Sequence, residues 1–141
     1  MELLGLSDFE GAWRLRREIF DRSSGSRIEF VGEARFQASG VETLSYLEGG
    51  LLTMPGQQPI VATRQYVWKK SNQQITVCYA DGSYFHSFTP AGYSEGTQHV
   101  CGNDVYGVVY DFCEWPKWVF TWEVVGPRKD YRSVTVCEPI E

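Results

Sequence analysis

The chain has two histidines, His86 and His99, and four cysteines, Cys78, Cys101, Cys113 and Cys137, which are its readiest sources of chemistry near neutral pH. After the Asp81-Gly82 turn, period-2 alternation puts Tyr84, His86 and Phe88 on one face, and in the next segment His99 and Cys101 share a face. If those two strands pair, both imidazoles and one thiol converge. An imidazole with its ordinary pKa near about 6.5 relays a proton or lends a neutral nitrogen to a metal. A thiol beside it is a candidate nucleophile. Three readings stand together: a metal or haem ligand set, an acid/base pair oriented by Asp104, or a buried polar network hydrogen-bonded to Asp104 or Tyr106. A third and fourth donor at metal-ligand spacing are lacking, so no metal or cofactor is assigned.

A second constellation is Arg64, Tyr66 and Trp68, which alternate onto one face of the segment Ile60 to Lys69. Facing a cavity, a guanidinium flanked by two amphipathic aromatics suits a ligand with an apolar body and a carboxylate or phosphate. Facing outward, the same set is a cation with aromatics covering the surface, and alternation fixes only relative facing. Tyr106, Tyr110, Phe112, Trp115, Trp118 and Trp122 offer further aromatic lining or core. No G-x-S-x-G elbow, P-loop, dinucleotide fingerprint or H-E-x-x-H motif is present.

These residues need elements to position them, and alternation runs nearly the whole length. In Gly11 to Asp21 the set Trp13, Leu15, Arg17 and Ile19 opposes Arg14, Arg16 and Glu18, the pattern of a half-buried strand. Past the Arg22 to Ser26 turn, Ile28, Phe30, Gly32, Ala34 and Phe36 face inward. Further strands are expected at Thr43 to Leu47, Leu51 to Met54, Ile60 to Lys69, Gln74 to Ala80, Ser83 to Thr89, Thr97 to Cys101, Val105 to Cys113, Trp118 to Val125 and Tyr131 to Cys137. Turn chemistry separates them, including Gly49-Gly50, Asp81-Gly82, Pro90 to Gly96 and Gly126-Pro127. Only the N-terminus reads as helical, a short lid with Leu3, Leu4, Leu6 and Phe9 as its apolar side. The expected fold is all-β: a closed up-and-down antiparallel β-barrel of about ten strands, because closure removes the edges that so wide an open sheet would leave. Residues 1–141 read as one domain.

Composition excludes several partners. With 13 basic against 18 acidic residues and a formal charge of −5, no nucleic acid and no anionic membrane surface is expected as a partner. No stretch approaches the about 20 apolar residues of a membrane span. The first residues carry Glu2 and Asp8 without a basic flank, so no secretory signal is read and a cytoplasmic location is expected. The cysteines lack a C-x-x-C pair and are expected to be free, mostly buried thiols.

Phe9, Gly11 and Trp13 on the first strand, with Arg128 in the late turn Gly126 to Tyr131, resemble the pattern of the calycin superfamily. That resemblance implies that Trp13 and Arg128 meet at one barrel end, a cation on an aromatic face, with Gly11 helping to close it. The run Asp81 to His86, then His99, Cys101, Asp104 and Tyr106, then Trp115-Pro116, resembles more closely an uncharacterised family of lipocalin-like domains of bacteria and fungi. The resemblance implies a fold and no reaction.

Three functions follow as expectations. The first is a binding protein that holds a small hydrophobic or aromatic ligand, with or without an anionic group, in the barrel. Its candidate contacts are Arg64, Tyr66, Trp68, Tyr84, His86, His99, Cys101, Asp104, Tyr106, Tyr110 and Trp118. The second is an enzyme using His86, His99 and Asp104 in the same cavity. The third is a structural or interaction barrel with a filled interior. Haem held through a histidine is a branch of the first, and the colour of the protein reveals it.

Overall fold

The alternating pattern becomes eleven strands in the computed structural model, which describes residues 2–140. One helical turn, α1 (Leu6–Phe9), leads into β1 (Gly11–Asp21), β2 (Arg27–Gly40), β3 (Thr43–Thr53), β4 (Ile60–Ser71), β5 (Gln74–Tyr79) and β6 (Tyr84–Phe88). The short β7 (Tyr93–Glu95) and β8 (His99–Cys101) precede β9 (Asp104–Asp111), β10 (Trp118–Val125) and β11 (Asp130–Pro139). The antiparallel order is β6-β5-β4-β3-β2-β1-β11-β10-β9-β7, with β8 also on β9. Sequential strands are neighbours from β1 to β6 and from β8 to β11, and the first and last long strands pair from Trp13↔Pro139 to Asp21↔Tyr131.

The remaining seam lies between β6 and β9, where the link from β7 to β8 bridges it. The Thr97 N–H donates to the Ser87 carbonyl at 2.8 Å and the Gly96 N–H to the Val108 carbonyl at 2.9 Å. The Ser87 N–H in turn donates to Thr97 Oγ1 at 2.9 Å. The barrel is therefore nearly closed, and its last edge is satisfied by backbone bonds rather than a long strand pair. The region Pro90 to Gly96, expected as a turn, contains β7.

Gly49-Gly50 lies inside β3, not at a chain reversal. Gly50 stands opposite Gly32 of β2. A Cβ on Gly50 would strike the Val31 carbonyl and lie 2.6 Å from the Gly32 Cα and 2.9 Å from the Phe30 ring. The glycines allow two backbones to approach closely. Because β3 continues through them, Leu44, Tyr46, Glu48 and Leu52 all face inward.

One end of the barrel is plugged. Phe9, fully buried at the end of α1, meets the rings of Phe36, Trp68, Phe112, Trp115 and Trp118 at centroid distances of 5.1 to 5.9 Å. The Trp13 indole N–H donates to the Phe9 carbonyl at 2.8 Å, which fixes the lid to β1. Leu4 and Leu6 pack on this core, whereas Leu3 is left exposed. Gly11, at φ 123, makes the bend into β1 in a conformation that favours glycine.

Trp13 and Arg128 do not meet. Trp13 packs on Trp115 and Trp118 at the plugged end, at 5.6 and 5.8 Å. Arg128 belongs to the turn between β10 and β11, beside the Asp21↔Tyr131 pair at the other end. Eight positions of β1, about 26 Å at strand rise, separate the two ends. Position late in the chain misleads here because β11 must still travel the barrel's length before it reaches Trp13. All four cysteines are free, but only Cys78 and Cys137 are buried; Cys101 and Cys113 are exposed. Among the described residues no helix is long and apolar enough to cross a membrane.

Candidate ligand-binding cavity

The end opposite the plug opens into a cavity of about 540 Å³. Its walls are Tyr66, Tyr79, Phe85, Tyr106, Trp122 and Tyr131, with Ile19 and Ile28 adding aliphatic surface. The facing of Arg64, Tyr66 and Trp68 is decided by register: they pair with Glu48, Tyr46 and Leu44, all buried inside the barrel. Arg64 thus reaches into the cavity from within the barrel mouth while its guanidinium stays solvent-accessible.

Charge around the mouth is uneven. Arg64, Arg128 and Lys129 line it against Asp21 and Asp130. Asp130 already accepts from Arg22 at 3.0 Å, and Lys129 donates to the Tyr106 hydroxyl at 2.7 Å and lies 3.5 Å from Asp104 Oδ2. Among the described residues, no carboxylate lies within ion-pairing distance of Arg64 or Arg128. The mouth therefore presents guanidinium groups that are not neutralised beside an aromatic wall, an arrangement suited to anions.

Below the cavity lies an ion pair. Arg17 Nη1 and Nη2 donate to Glu48 Oε2 and Oε1 at 2.7 and 2.9 Å, Arg17 Nε donates to Thr135 Oγ1 at 2.7 Å, and the Tyr46 hydroxyl donates to Glu48 Oε1 at 2.6 Å. Burial pushes the Glu48 carboxyl up, but the Arg17 hydrogen bonds and charge, with the Tyr46 bond, outweigh it and leave it below the ordinary carboxylate range. Burial likewise opposes the Arg17 charge, and Glu48 more than offsets it. Burial first, then the Glu48 charge, drives the Tyr46 phenol well above its usual value. The pair is ionised and internally neutral, and the Arg17 guanidinium also rests 5.0 Å from the Phe30 ring centroid.

Between pair and cavity is an inner crevice of about 30 Å³, which shares Arg64, Tyr66, Phe85 and Trp122 with the larger space. Trp68, His86, Tyr110 and Trp118 line it. His86 Nε2 lies 2.8 Å from the Tyr110 hydroxyl. Burial, with a smaller effect from the His99 charge, lowers the His86 pKa to about 3, so the ring is neutral at neutral pH. Its Nδ1 and the Trp118 Nε1 have no hydrogen-bond partner.

The sequence candidates therefore divide. Arg64, Tyr66, His99, Cys101 and Tyr106 line the outer cavity, and Trp68, His86, Tyr110 and Trp118 the inner crevice. Two leave the site. A bulge shifts the β5–β6 register, pairing Val77 with His86 but Cys78 with Tyr84. Phe85 is the extra residue and takes the cavity position, stacked on Trp122 at 5.0 Å and on Tyr79 at 4.6 Å. Tyr84 swings outside, its hydroxyl 3.1 Å from Ser87 Oγ and 2.9 Å from Thr97 Oγ1. Asp104 turns to Lys129 instead of a histidine. Among the described residues no three His, Cys, Asp or Glu side chains gather closely enough to hold a metal ion.

Sequence reasoning did not assign Arg17, Tyr46, Glu48 and Thr135. The signal for Arg17 was present, since it alternates with Trp13, Leu15 and Ile19. Glu48 alternates with Leu44 and Tyr46, but a turn read at Gly49-Gly50 hides it.

A nearly closed antiparallel meander with one plugged end and one open cavity defines a lipocalin-like barrel. The chain belongs to the family of unknown function DUF6314, whose pattern matches residues 9–139. Among solved structures it is similar to the S-type phycobiliprotein lyase CPES from Guillardia theta, with a TM-score of 0.69 and 9% identity over 96% of this chain and 90% of that one. It also resembles a DUF3598-family protein of unknown function from Nostoc punctiforme, with a TM-score of 0.61 and 13% identity over 97% of this chain and 49% of that one. A third likeness is Rv2717c from M. tuberculosis, with a TM-score of 0.56 and 12% identity over 99% of this chain and all of that one. At these identities the likeness is one of fold. No curated protein matches the chain.

Proposed function

We propose that the protein binds a small molecule in the barrel, with a flat aromatic body between the Tyr66, Phe85, Tyr106 and Trp122 walls and an anionic group on Arg64. The observation that carries this reading is an arginine without a carboxylate partner, directed into an aromatic-walled space of about 540 Å³. That volume is within the range of about 300 to 1,000 Å³ typical of ligand pockets, and it counts against a filled interior. Asp104 is engaged by Lys129, so the acid/base cluster lacks its orienter and the enzyme reading loses its support. His99 and Cys101 at the rim add polar contacts for the ligand's exposed edge.

Isothermal titration of the protein with fluorene-2-carboxylate, an aromatic anion of suitable size, tests this. Saturable one-to-one binding is expected, weakened about tenfold to a hundredfold in Arg64→Met, as loss of a hydrogen bond to a charged group implies. The melting temperature should stay nearly unchanged, because Arg64 is exposed and makes no ion pair among the described residues. Equal affinity in Arg64→Met, or no saturable binding of aromatic carboxylates, would overturn the reading.

A further inference from the structure

Two buried nitrogens at the inner crevice, His86 Nδ1 and Trp118 Nε1, have no hydrogen-bond partner among the described residues. The Tyr110 hydroxyl has His86 Nε2 as its one hydrogen-bond partner among the described residues. One proton of the pair is stranded either way: the phenol's if Nε2 donates, or the imidazole's on Nδ1 if Tyr110 donates. In the second arrangement Tyr110 donates, Nε2 accepts, and the single proton of the neutral imidazole resides on Nδ1, where an acceptor in the crevice can satisfy it. Nδ1–H of His86 and Nε1–H of Trp118 are then both donors, on side chains only 2% and 1% exposed, and neither is satisfied. Elsewhere among the described residues, buried side-chain nitrogens and oxygens are paired.

The crevice also has a charge and a size. Arg17 and Glu48 on its wall neutralise each other through two hydrogen bonds, so its uncompensated charge is Arg64 at the junction with the outer cavity, where the ligand's anionic group is placed. Its volume of about 30 Å³ admits one or two non-hydrogen atoms. It adjoins the outer cavity at Arg64, Tyr66, Phe85 and Trp122, so the tip of a molecule lodged between those aromatics can enter it.

We infer that the crevice is a subsite for a neutral hydrogen-bond acceptor, a carbonyl oxygen of the aromatic ligand, received by the N–H groups of His86 and Trp118. The inference rests on the reading of the outer cavity as a ligand site and adds the ligand's second polar feature. A ketone oxygen carries two lone pairs and can accept from both N–H groups, whereas a hydrocarbon edge leaves both stranded.

Two probes that differ in this one feature make the test: 9-fluorenone-2-carboxylate and fluorene-2-carboxylate, with the same ring system and carboxylate. By calorimetry the ketone is expected to bind about tenfold to a hundredfold more tightly to the wild-type protein. In His86→Phe the preference should collapse toward parity while the affinity for fluorene-2-carboxylate persists. A second readout needs no variant: the Trp118 indole N–H proton resonance should move downfield on addition of the ketone and stay in place with the hydrocarbon. Equal affinity for both probes with an unmoved Trp118 resonance overturns the subsite, leaving a crevice that holds water only, while the outer cavity stands. A ketone preference that survives His86→Phe with the Trp118 resonance unmoved also overturns it. Binding of neither probe removes both readings.

Discussion

Acid should weaken this barrel well before its carboxylates are protonated, because His86 takes up a proton on unfolding. The ring is buried against Phe85, Tyr110 and Trp122, and burial, aided by the His99 charge, holds its folded pKa at about 3. In the unfolded chain it titrates near about 6.5. Below that value the unfolded chain binds a proton that the folded protein refuses. Stability is therefore full above pH 6.5 and declines as the pH falls toward 3. A gap of about 3.5 units is worth about 5 kcal/mol in all, of which about 2 kcal/mol is already lost at pH 5. Glu48, with its folded pKa lowered by Arg17 against the opposing effect of burial, acts in the same direction only as the pH falls below its unfolded value near about 4.5. Urea titrations followed by tryptophan fluorescence across about pH 7 to 5 thus isolate the histidine. His86→Gln keeps an acceptor for the Tyr110 hydroxyl but does not titrate, so the wild-type protein should lose about 2 kcal/mol more than this variant over that interval. Parallel profiles would refute the reasoning, for they would mean that the imidazole is protonated in the fold without penalty.

Three further outcomes follow from the packing. Glu48→Gln leaves the Arg17 guanidinium buried without its counter-charge and should cost about 3 to 5 kcal/mol by denaturant titration, whereas Arg17→Met with Glu48→Leu, Tyr46→Phe and Thr135→Val should be near neutral, since both desolvation penalties disappear and no buried hydroxyl is left without its partner. Gly50→Ala should cost about 3 kcal/mol, at the upper end for overpacking, because the new methyl meets immovable backbone. Gly49→Ala, whose Cβ finds only Thr63 Cγ2 at 3.7 Å, should cost less than about 0.5 kcal/mol in the same assay. Trp13→Ala should cost about 3 to 5 kcal/mol, and a double-mutant cycle with Arg128→Ala should give a coupling below about 0.5 kcal/mol, since the two lie at opposite ends of the barrel.

Much of the wall was legible in the chain itself. Alternation is a property of the pleat, local to each strand, so Trp13, Leu15, Arg17 and Ile19 declare a common face wherever β1 ends up. The bounds of β1 and β10 follow from it directly. Glycine pairs are less transparent, because a turn and a close backbone crossing use the same residue for different reasons: Asp81-Gly82 makes a turn and Gly49-Gly50 does not.

The site depended on relations that no local pattern contains. Arg17 and Glu48 are 31 positions apart, and only the barrel's curvature brings a residue of β1 to one of β3 across the intervening strand. One extra residue in β6 exchanged Tyr84 for Phe85 in the cavity wall. The length of β11 placed Arg128 at the mouth instead of beside Trp13. The sequence by itself determined the strands and the faces of their residues, because the pleat repeats every two residues. Tertiary structure alone decided which faces meet, since register, bulges and closure are set jointly by all the strands that must fit around one barrel.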